Sequence, residues 1–380
     1  MNKPKLLILS FSDIANDARV KKQVLLFAER YEVVTCGFGD AVLPTVEHLQ
    51  LPVSGSVALS YLNGVLLRAR LYRLDARIQP TVRAARQALR GRNFDAVIAN
   101  DIDTLAFAVN RFGGARVHSD LHEFFPGLHD NNPTWVRVRK PQLEWTLRTY
   151  GARAASLTTV SETIAERYQA EYGLPCGVVR NAAPYRSFTA GTVSDPIRMV
   201  HSGGAFAERR IDVMMRAAAL TKTDLVFDLY LTQPDSPHGK ELRALADELG
   251  ERVTVHPPVP QGELVALLNS YDVGIHVLPA TNTNNSLALP NKFFDYVQAR
   301  LGMVIGPTAD MVKLLERYEL GRVAGGFDQD DVVAALDTLT PAEVAVWKAH
   351  ANDVAHECSA EAQQHVWEDA VAGLLRERAA

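Results

Sequence analysis

Short aliphatic runs alternate with longer stretches of helical periodicity from one end of this chain to the other. Lys5-Leu-Leu-Ile-Leu-Ser10 is apolar without alternation, as in a strand buried on both faces. Tyr31–Cys36, Asp95–Ala99, Ala115–His118 and Leu157–Val160 repeat the theme. Between them the periodicity predicts helices over Ala18–Arg30, Leu66–Arg90, Leu105–Phe112, Gln142–Tyr150 and Glu162–Tyr172. Such alternation reads as a parallel, doubly wound sheet.

The pattern lapses between Asn181 and Pro196, in a stretch containing Asn-Ala-Ala-Pro184 and Ser194-Asp-Pro196. It then restarts. Strands are predicted at Ile197–His201, Val226–Leu231, Arg252–Val255, Val273–Val277 and Met303–Gly306. Helices are predicted at Asp212–Leu220, Lys240–Leu249, Glu263–Leu268, Lys292–Arg300 and Met311–Tyr318, and the tail from Pro341 is helical only. The expected architecture is two Rossmann-like α/β domains, 1–186 and 187–359, facing a cleft, with a helical C-terminal extension. The terminal helix, 360–380, is expected to complete the first domain. Ligands of open α/β sheets bind beyond the carboxyl ends of the strands, so candidate chemistry is sought there.

One segment after such a strand stands out: Asn284-Asn-Ser-Leu-Ala-Leu-Pro-Asn-Lys-Phe-Phe-Asp-Tyr296. A helix is expected to open near Asn291, with Pro290 at a position that tolerates proline and free N–H groups able to hold an anion. Lys292 in the first turn is opposed by the helix dipole. An anion bound beside it would remove the conflict, and Asp295, one turn on, would be placed to take hydroxyls. A plain amphipathic helix with a solvated Lys–Asp pair fits the same residues.

Composition narrows the class. With 380 residues, 47% hydrophobic and 22% charged, the chain can bury two cores and is not disordered. Its three cysteines (Cys36, Cys176 and Cys358) are far apart, which argues against a disulfide scaffold and predicts a reducing compartment. The N-terminal apolar run is too short for a signal peptide, and Val53 to Leu67 is too short to span a bilayer. A cytoplasmic location follows, with the inner face of a membrane as the closest association expected. No G-x-G-x-x-G follows the first strand, which excludes a dinucleotide-dependent dehydrogenase of that type.

The net charge of −4 divides into +7 for residues 1–190 and −11 for the remainder. Eight arginines and one acid, Asp75, lie between Arg68 and Arg92, interleaved with leucines. Such a stretch would dock on an anionic membrane surface or hold a polyanionic acceptor; a solvated basic face reads equally well. No nucleic-acid motif accompanies it.

Leu289-Pro-Asn-Lys-Phe-Phe-Asp-Tyr-Val-Gln-Ala-Arg-Leu301 resembles the donor-site signature of retaining glycosyltransferases of the GT-B fold, GT4 type. Asp17-Ala-Arg-Val20, Ala99-Asn-Asp-Ile-Asp-Thr104, Ser119-Asp-Leu-His-Glu123, Thr159-Val-Ser-Glu-Thr163 and Val179-Arg-Asn181 agree with that family in order and spacing. The resemblance spans about residues 5 to 325. It implies sugar transfer from a nucleotide-diphosphate donor, UDP- or GDP-linked, to a saccharide, lipid-linked or natural-product acceptor, as in polysaccharide biosynthesis. Configuration is retained, with neither metal nor cofactor. On the donor side it implies Asn291 and the ribose-binding Asp295, with Arg209 and Lys292 neutralising the departing diphosphate; Gly203 and Gly204 would let a pyrophosphate approach the backbone closely, and Asn285, Ser286 and the backbone of Leu287 would hydrogen-bond the sugar. His122 would contact the transferring sugar or the acceptor. Asp13, Arg19, Asp101, Asp103 and Glu123 are placed on the acceptor side.

The chain also departs from the pattern. No glutamate occupies the stretch Asn284–Leu287, aspartate stands for glutamate at Asp295, Ala205 replaces an arginine, and Ser10-Phe-Ser-Asp13 lacks paired glycines. Two alternatives therefore stand beside transfer: a nucleotide-sugar epimerase on the same plan, and a non-catalytic sugar-binding component of a polysaccharide assembly system.

Overall fold

A computed structural model describes residues 3–53 and 57–376, with the backbone alone described for 57–61. The chain divides into two compact units. One comprises Met1–Arg180, Asn282–Asn284 and Gln363–Ala380; the other comprises Asn181–Thr281 and Asn285–Ala362.

The first unit is built on strands β1 (Lys5–Asp13), β2 (Glu32–Phe38), β3 (Glu47–Gln50), β4 (Ala96–Asn100), β5 (Val117–Leu121), β6 (Ser156–Thr159) and β7 (Cys176–Val178). They pair in the order β3-β2-β1-β4-β5-β6-β7, and every pairing is parallel. Successive residues of β1 enter opposite cores. Leu7 and Leu9 join Val97, Ala99 and Leu105 on one face, while Leu6 and Ile8 join Ile98, Val24 and Phe27 on the other. Alternate side chains point to opposite sides of a strand, so burial on both faces requires an unbroken apolar run. The C-terminal helix Ala360–Arg376 returns to this unit, adding Trp367, Val371 and Leu374 to the second of these cores. Each fully buried aliphatic side chain contributes roughly 1.5–3 kcal/mol.

The second unit has strands β8 (Ile197–Gly204), β9 (Leu225–Thr232), β10 (Val253–His256), β11 (Val273–His276), β12 (Gly302–Ile305) and β13 (Gly321–Val323). Their order is β10-β9-β8-β11-β12-β13, again all parallel. Met199 and Val304 face one core; Val200, Met303 and Ile305 face the other. Two doubly wound α/β units with a helical C-terminal stretch are thus present.

Several expectations are corrected. The helix expected over Leu66–Arg90 is three: Val57–Arg68, Tyr72–Ile78 and Pro80–Ala88. Arg70 breaks the first junction at φ 57°, and Gln79, held out of the helical region before Pro80, breaks the second. Strands β3, β7 and β13 escaped notice because each is a three- or four-residue sheet edge without a fully buried position. The strand expected at Ala115–His118 runs instead over Val117–Leu121, after a 3-10 turn at Gly114–Arg116. The apolar run from Val53 and the end of the terminal helix, 377–380, lie partly outside the described residues. No described helix is long and apolar enough to cross a membrane.

Candidate functional site

In the second unit the predicted donor-side residues gather at the end of β8. The strand extends beyond its expected end at His201 and includes Ser202, Gly203 and Gly204, so the glycine pair is strand rather than loop. Gly203 has φ +155°, and a Cβ built there would lie 2.7 Å from Lys292 Cε, 2.8 Å from Lys292 Nζ and 3.4 Å from Arg209 Nη1. Only glycine meets both the backbone conformation and the close approach of two cations.

Lys292 stands in the first turn of the helix Asn291–Gln298, behind Pro290 at the N-cap position. The opposite face of that helix buries Phe293, Phe294, Tyr296 and Val297. Tyr296 fixes the helix on β11: its hydroxyl donates to the Ile275 carbonyl at 3.2 Å, and its ring fills the space a Cβ on Gly274 would need. Lys292 and the half-buried Asp295 are left on the other side. Burial, then the Arg209 charge, lowers the Lys292 amine to a pKa of about 8, with Asp295 opposing. Burial and a neighbouring cation both disfavour the charged amine, and an anion brought beside it would favour it.

Arg209 precedes the next helix. It closes a 3-10 turn, Ala207–Arg209, and Arg210 at φ 46° precedes the helix Ile211–Leu220. Arg209 stacks on Phe206 at 5.3 Å, and burial lowers its pKa. The exposed Arg210 pairs instead with Asp212 at 3.3 Å. Asn285 donates to Thr281 Oγ1 at 3.1 Å, Ser286 closes a single helical turn, and Leu287 is buried. Asn291 is exposed.

Sequence reading missed His201 and His276, whose rings stack at 5.8 Å with 6° between planes. His201 Nδ1 donates to the Ile275 carbonyl at 2.9 Å. Among the described residues its Nε2 and both ring nitrogens of His276 have no hydrogen-bond partner. Burial, then the Lys292 charge, takes His201 down to about 3 and His276 well below its ordinary value, so both are neutral. The one available signal was a histidine at or beside the end of each of two apolar strands.

The first unit holds the predicted acceptor-side residues, at the ends of β4 and β5. His122, 15% exposed, lies between two carboxylates: Nδ1 is 3.3 Å from Asp101 Oδ1 and Nε2 is 3.5 Å from Asp120 Oδ2. Nε2 also lies 3.1 Å from Asn100 Oδ1. Burial works against its charge, but Asp101 and Asp120 prevail, and its pKa is raised. Asp101 sits at φ 63° and is the N-cap residue of the helix Ile102–Phe112, though its side chain caps nothing. It accepts instead from the His122 N–H at 3.2 Å. Asp103 lies inside that helix, exposed, and pairs with Arg139 at 2.8 Å. Asp13 is exposed and accepts from Asn16 Nδ2 at 2.9 Å. Glu123 accepts from Asn284 Nδ2 at 2.7 Å, and the Phe124 N–H donates to Asn284 Oδ1 at 2.9 Å.

Arg19 is the clearest correction. It is 2% exposed and offers nothing to an acceptor. Its Nη1 donates to the Val179 carbonyl at 2.6 Å, its other nitrogens grip Asp120, and its guanidinium stacks on Trp367 at 4.8 Å. Asp17 caps the helix Ala18–Phe27, accepting from the Arg19 and Val20 N–H groups at 3.1 Å each. Beneath His122 lies a wholly buried network that was not anticipated. Gln23 Nε2 donates to Asp120 and Asn100, Thr158 Oγ1 donates to Asp120 at 2.7 Å, and Thr158 also meets His118 at 2.9 Å. Three successive polar residues inside the buried strand Val117–Leu121 were the signal for it.

Among the described residues no group of three or more His, Cys, Asp or Glu side chains could hold a metal ion.

No family model matches the chain, and no curated protein sequence matches it. Solved structures do. Sucrose-phosphate synthase from Thermosynechococcus elongatus aligns over 97% of this chain and 100% of its own, with TM-score 0.71 and 10% identity. Anabaena HepE in complex with UDP-glucose aligns over 99% and 98%, with TM-score 0.67 and 14% identity. WaaG, a glycosyltransferase involved in lipopolysaccharide biosynthesis, aligns over 94% and 98%, with TM-score 0.60 and 11% identity. At these identities the likeness shows the fold, which is that of GT-B glycosyltransferases.

Proposed function

We propose that this protein is a glycosyltransferase that moves a sugar from a nucleotide-diphosphate sugar to an acceptor. The observation that carries the reading is the convergence of two half-buried cations, Lys292 and Arg209, on Gly203. Negative charge grows on a departing diphosphate, so fixed cations stabilise the transition state more than the ground state. Asp295, on the same helix as Lys292, would take the ribose hydroxyls. UDP-glucose bound to Anabaena HepE supports a donor of this class.

The finer assignments belong to the same reading: GT4 type, retention of configuration, no metal, UDP or GDP as the carrier, and a saccharide or lipid-linked acceptor. Location is read as cytoplasmic, with peripheral contact at an anionic membrane through Arg68 to Arg92. In the first unit, His122 would contact the transferring sugar, with Asp101 holding its ring. A thermal-shift panel of UDP, GDP, ADP and dTDP with their sugars tests donor binding and base preference together. Nucleotide release from the best sugar donor supports transfer. Interconversion of the sugar without release would favour an epimerase, and binding without either reaction a sugar-binding component.

A further inference from the structure

The breaking of the arginine-rich stretch into separate helices has a geometric result. Arg73 and Arg77 of the helix Tyr72–Ile78, Arg86 of the helix Pro80–Ala88, Arg111 of the helix Ile102–Phe112 and Arg153 of the turn Gly151–Arg153 line one groove of about 480 Å³. Two of these, Arg111 and Arg153, come from outside the stretch that sequence singled out. Among the described residues no carboxylate lines the groove. Asp75, the one acid of the stretch, is 1% exposed and turned into the neighbouring cavity, where it accepts from Gln79 Nε2 at 2.9 Å.

Two of the arginines are held in place from within. Arg111 Nη2 donates to the Leu89 and Arg92 carbonyls at 3.2 and 2.8 Å, and Arg153 lies over the Tyr150 ring at 5.6 Å. Arg73, Arg77 and Arg86 are exposed and make no ion pair among the described residues. Val82 and Phe107 supply an apolar floor. Five like charges around one groove repel, and a bound anion converts that repulsion into attraction. All five are arginine rather than lysine, which suits two-point recognition of phosphate oxygens. The groove is also separate from the residues around His122. Arg111 lies nine residues along its helix from Ile102, about 14 Å at the helical rise.

We propose that this groove is a binding site for a phosphate-bearing anion, independent of the nucleotide-sugar reading. The ligand is either a soluble polyphosphorylated molecule or the headgroup of a phosphorylated lipid.

The test uses the full chain carrying Lys292→Ala and Arg209→Ala, so that the donor-side cations cannot report. Calorimetry with inorganic tripolyphosphate is compared before and after adding Arg77→Glu and Arg86→Glu, with circular dichroism confirming the fold. Charge reversal is expected to weaken binding at least a hundredfold; the milder Arg77→Gln and Arg86→Gln pair, for use if reversal unfolds the protein, about tenfold. Co-sedimentation with phosphatidylcholine vesicles, with and without phosphatidic acid, separates the sources. Tripolyphosphate binding with sedimentation on phosphatidic acid supports the lipid source, and binding without sedimentation the soluble one. Equal binding by folded parent and charge-altered proteins, or no binding of either probe, would overturn the proposal.

Discussion

Arg19 and Asp120 form a two-point ion pair in the interior of the first unit, Nε to Oδ2 at 2.8 Å and Nη2 to Oδ1 at 2.7 Å, with neither side chain more than 2% exposed. Burial disfavours the Asp120 charge, but Arg19 and His122 hold its carboxyl far below the usual carboxylate range. The pair thus fixes an anion directly under the His122 ring. Asp120→Asn leaves the Arg19 charge uncompensated and should cost about 3–5 kcal/mol in urea denaturation. The carboxylate's contribution is present above the unfolded-state pKa of about 4 and is lost as pH falls, so the variant should gain less stability than wild type between pH 2 and 5.

Asp101 governs the charge of His122 by another route. The His122 pKa is raised, so its contribution to stability is present below about 6.5 and lost as pH rises through the folded-state pKa. Asp101→Asn should bring the His122 resonance, followed by NMR titration, to a lower pKa. Asp101→Gly should shift it in the same direction while relieving a positive φ worth about 1–3 kcal/mol, so it should be the more stable of the two. Identical titrations in wild type and both variants would remove Asp101 from this role.

Lys292 should make donor binding weaken at alkaline pH. In the free protein its pKa is lowered to about 8, below that of an unfolded lysine. The unfolded chain therefore binds more protons between pH 8 and about 10.5, and stability without ligand should rise with pH across that window. Diphosphate affinity should fall over the same window as the amine loses its charge. Lys292→Met should abolish both slopes, as read by thermal melting and calorimetry.

Gly203→Ala tests whether backbone and cations act together. The new methyl meets the Lys292 amine and the residue must hold φ +155°, so a loss of about 1–3 kcal/mol of stability is expected. Donor affinity should drop about tenfold, and combining it with Lys292→Ala should add little, because both changes remove one contact.

Much of this was legible in the sequence, for reasons that particular residues make plain. Leu6 to Leu9 announce a central strand because both faces of it are buried, whereas Gly321–Val323 announces nothing because an edge strand needs no apolar run. Lys292 was legible as a charge in conflict with its helix dipole. The Asp17-Ala-Arg19-Val segment was legible as a motif but not as a role, since burial of Arg19 depends on Asp120, 101 positions away in the chain. Pro80 carried the break of the arginine-rich helix, but the strength of the amphipathic pattern across it concealed the signal. The convergence of Arg111 and Arg153 with Arg73 and Arg86 is a property of tertiary packing alone.

The central claim is that Lys292 and Arg209 hold a nucleotide's diphosphate. Calorimetric titration of UDP and GDP, each beside its bare nucleoside, into wild type and into the Arg209→Ala, Lys292→Ala double variant tests it most directly. Loss of both cations should weaken the preferred diphosphate at least a hundredfold, at roughly 1.5–3 kcal/mol for each charge-assisted bond, and leave the nucleoside unchanged. Equal affinity of both proteins for the diphosphate, or no binding of either nucleotide to wild type, would contradict the account.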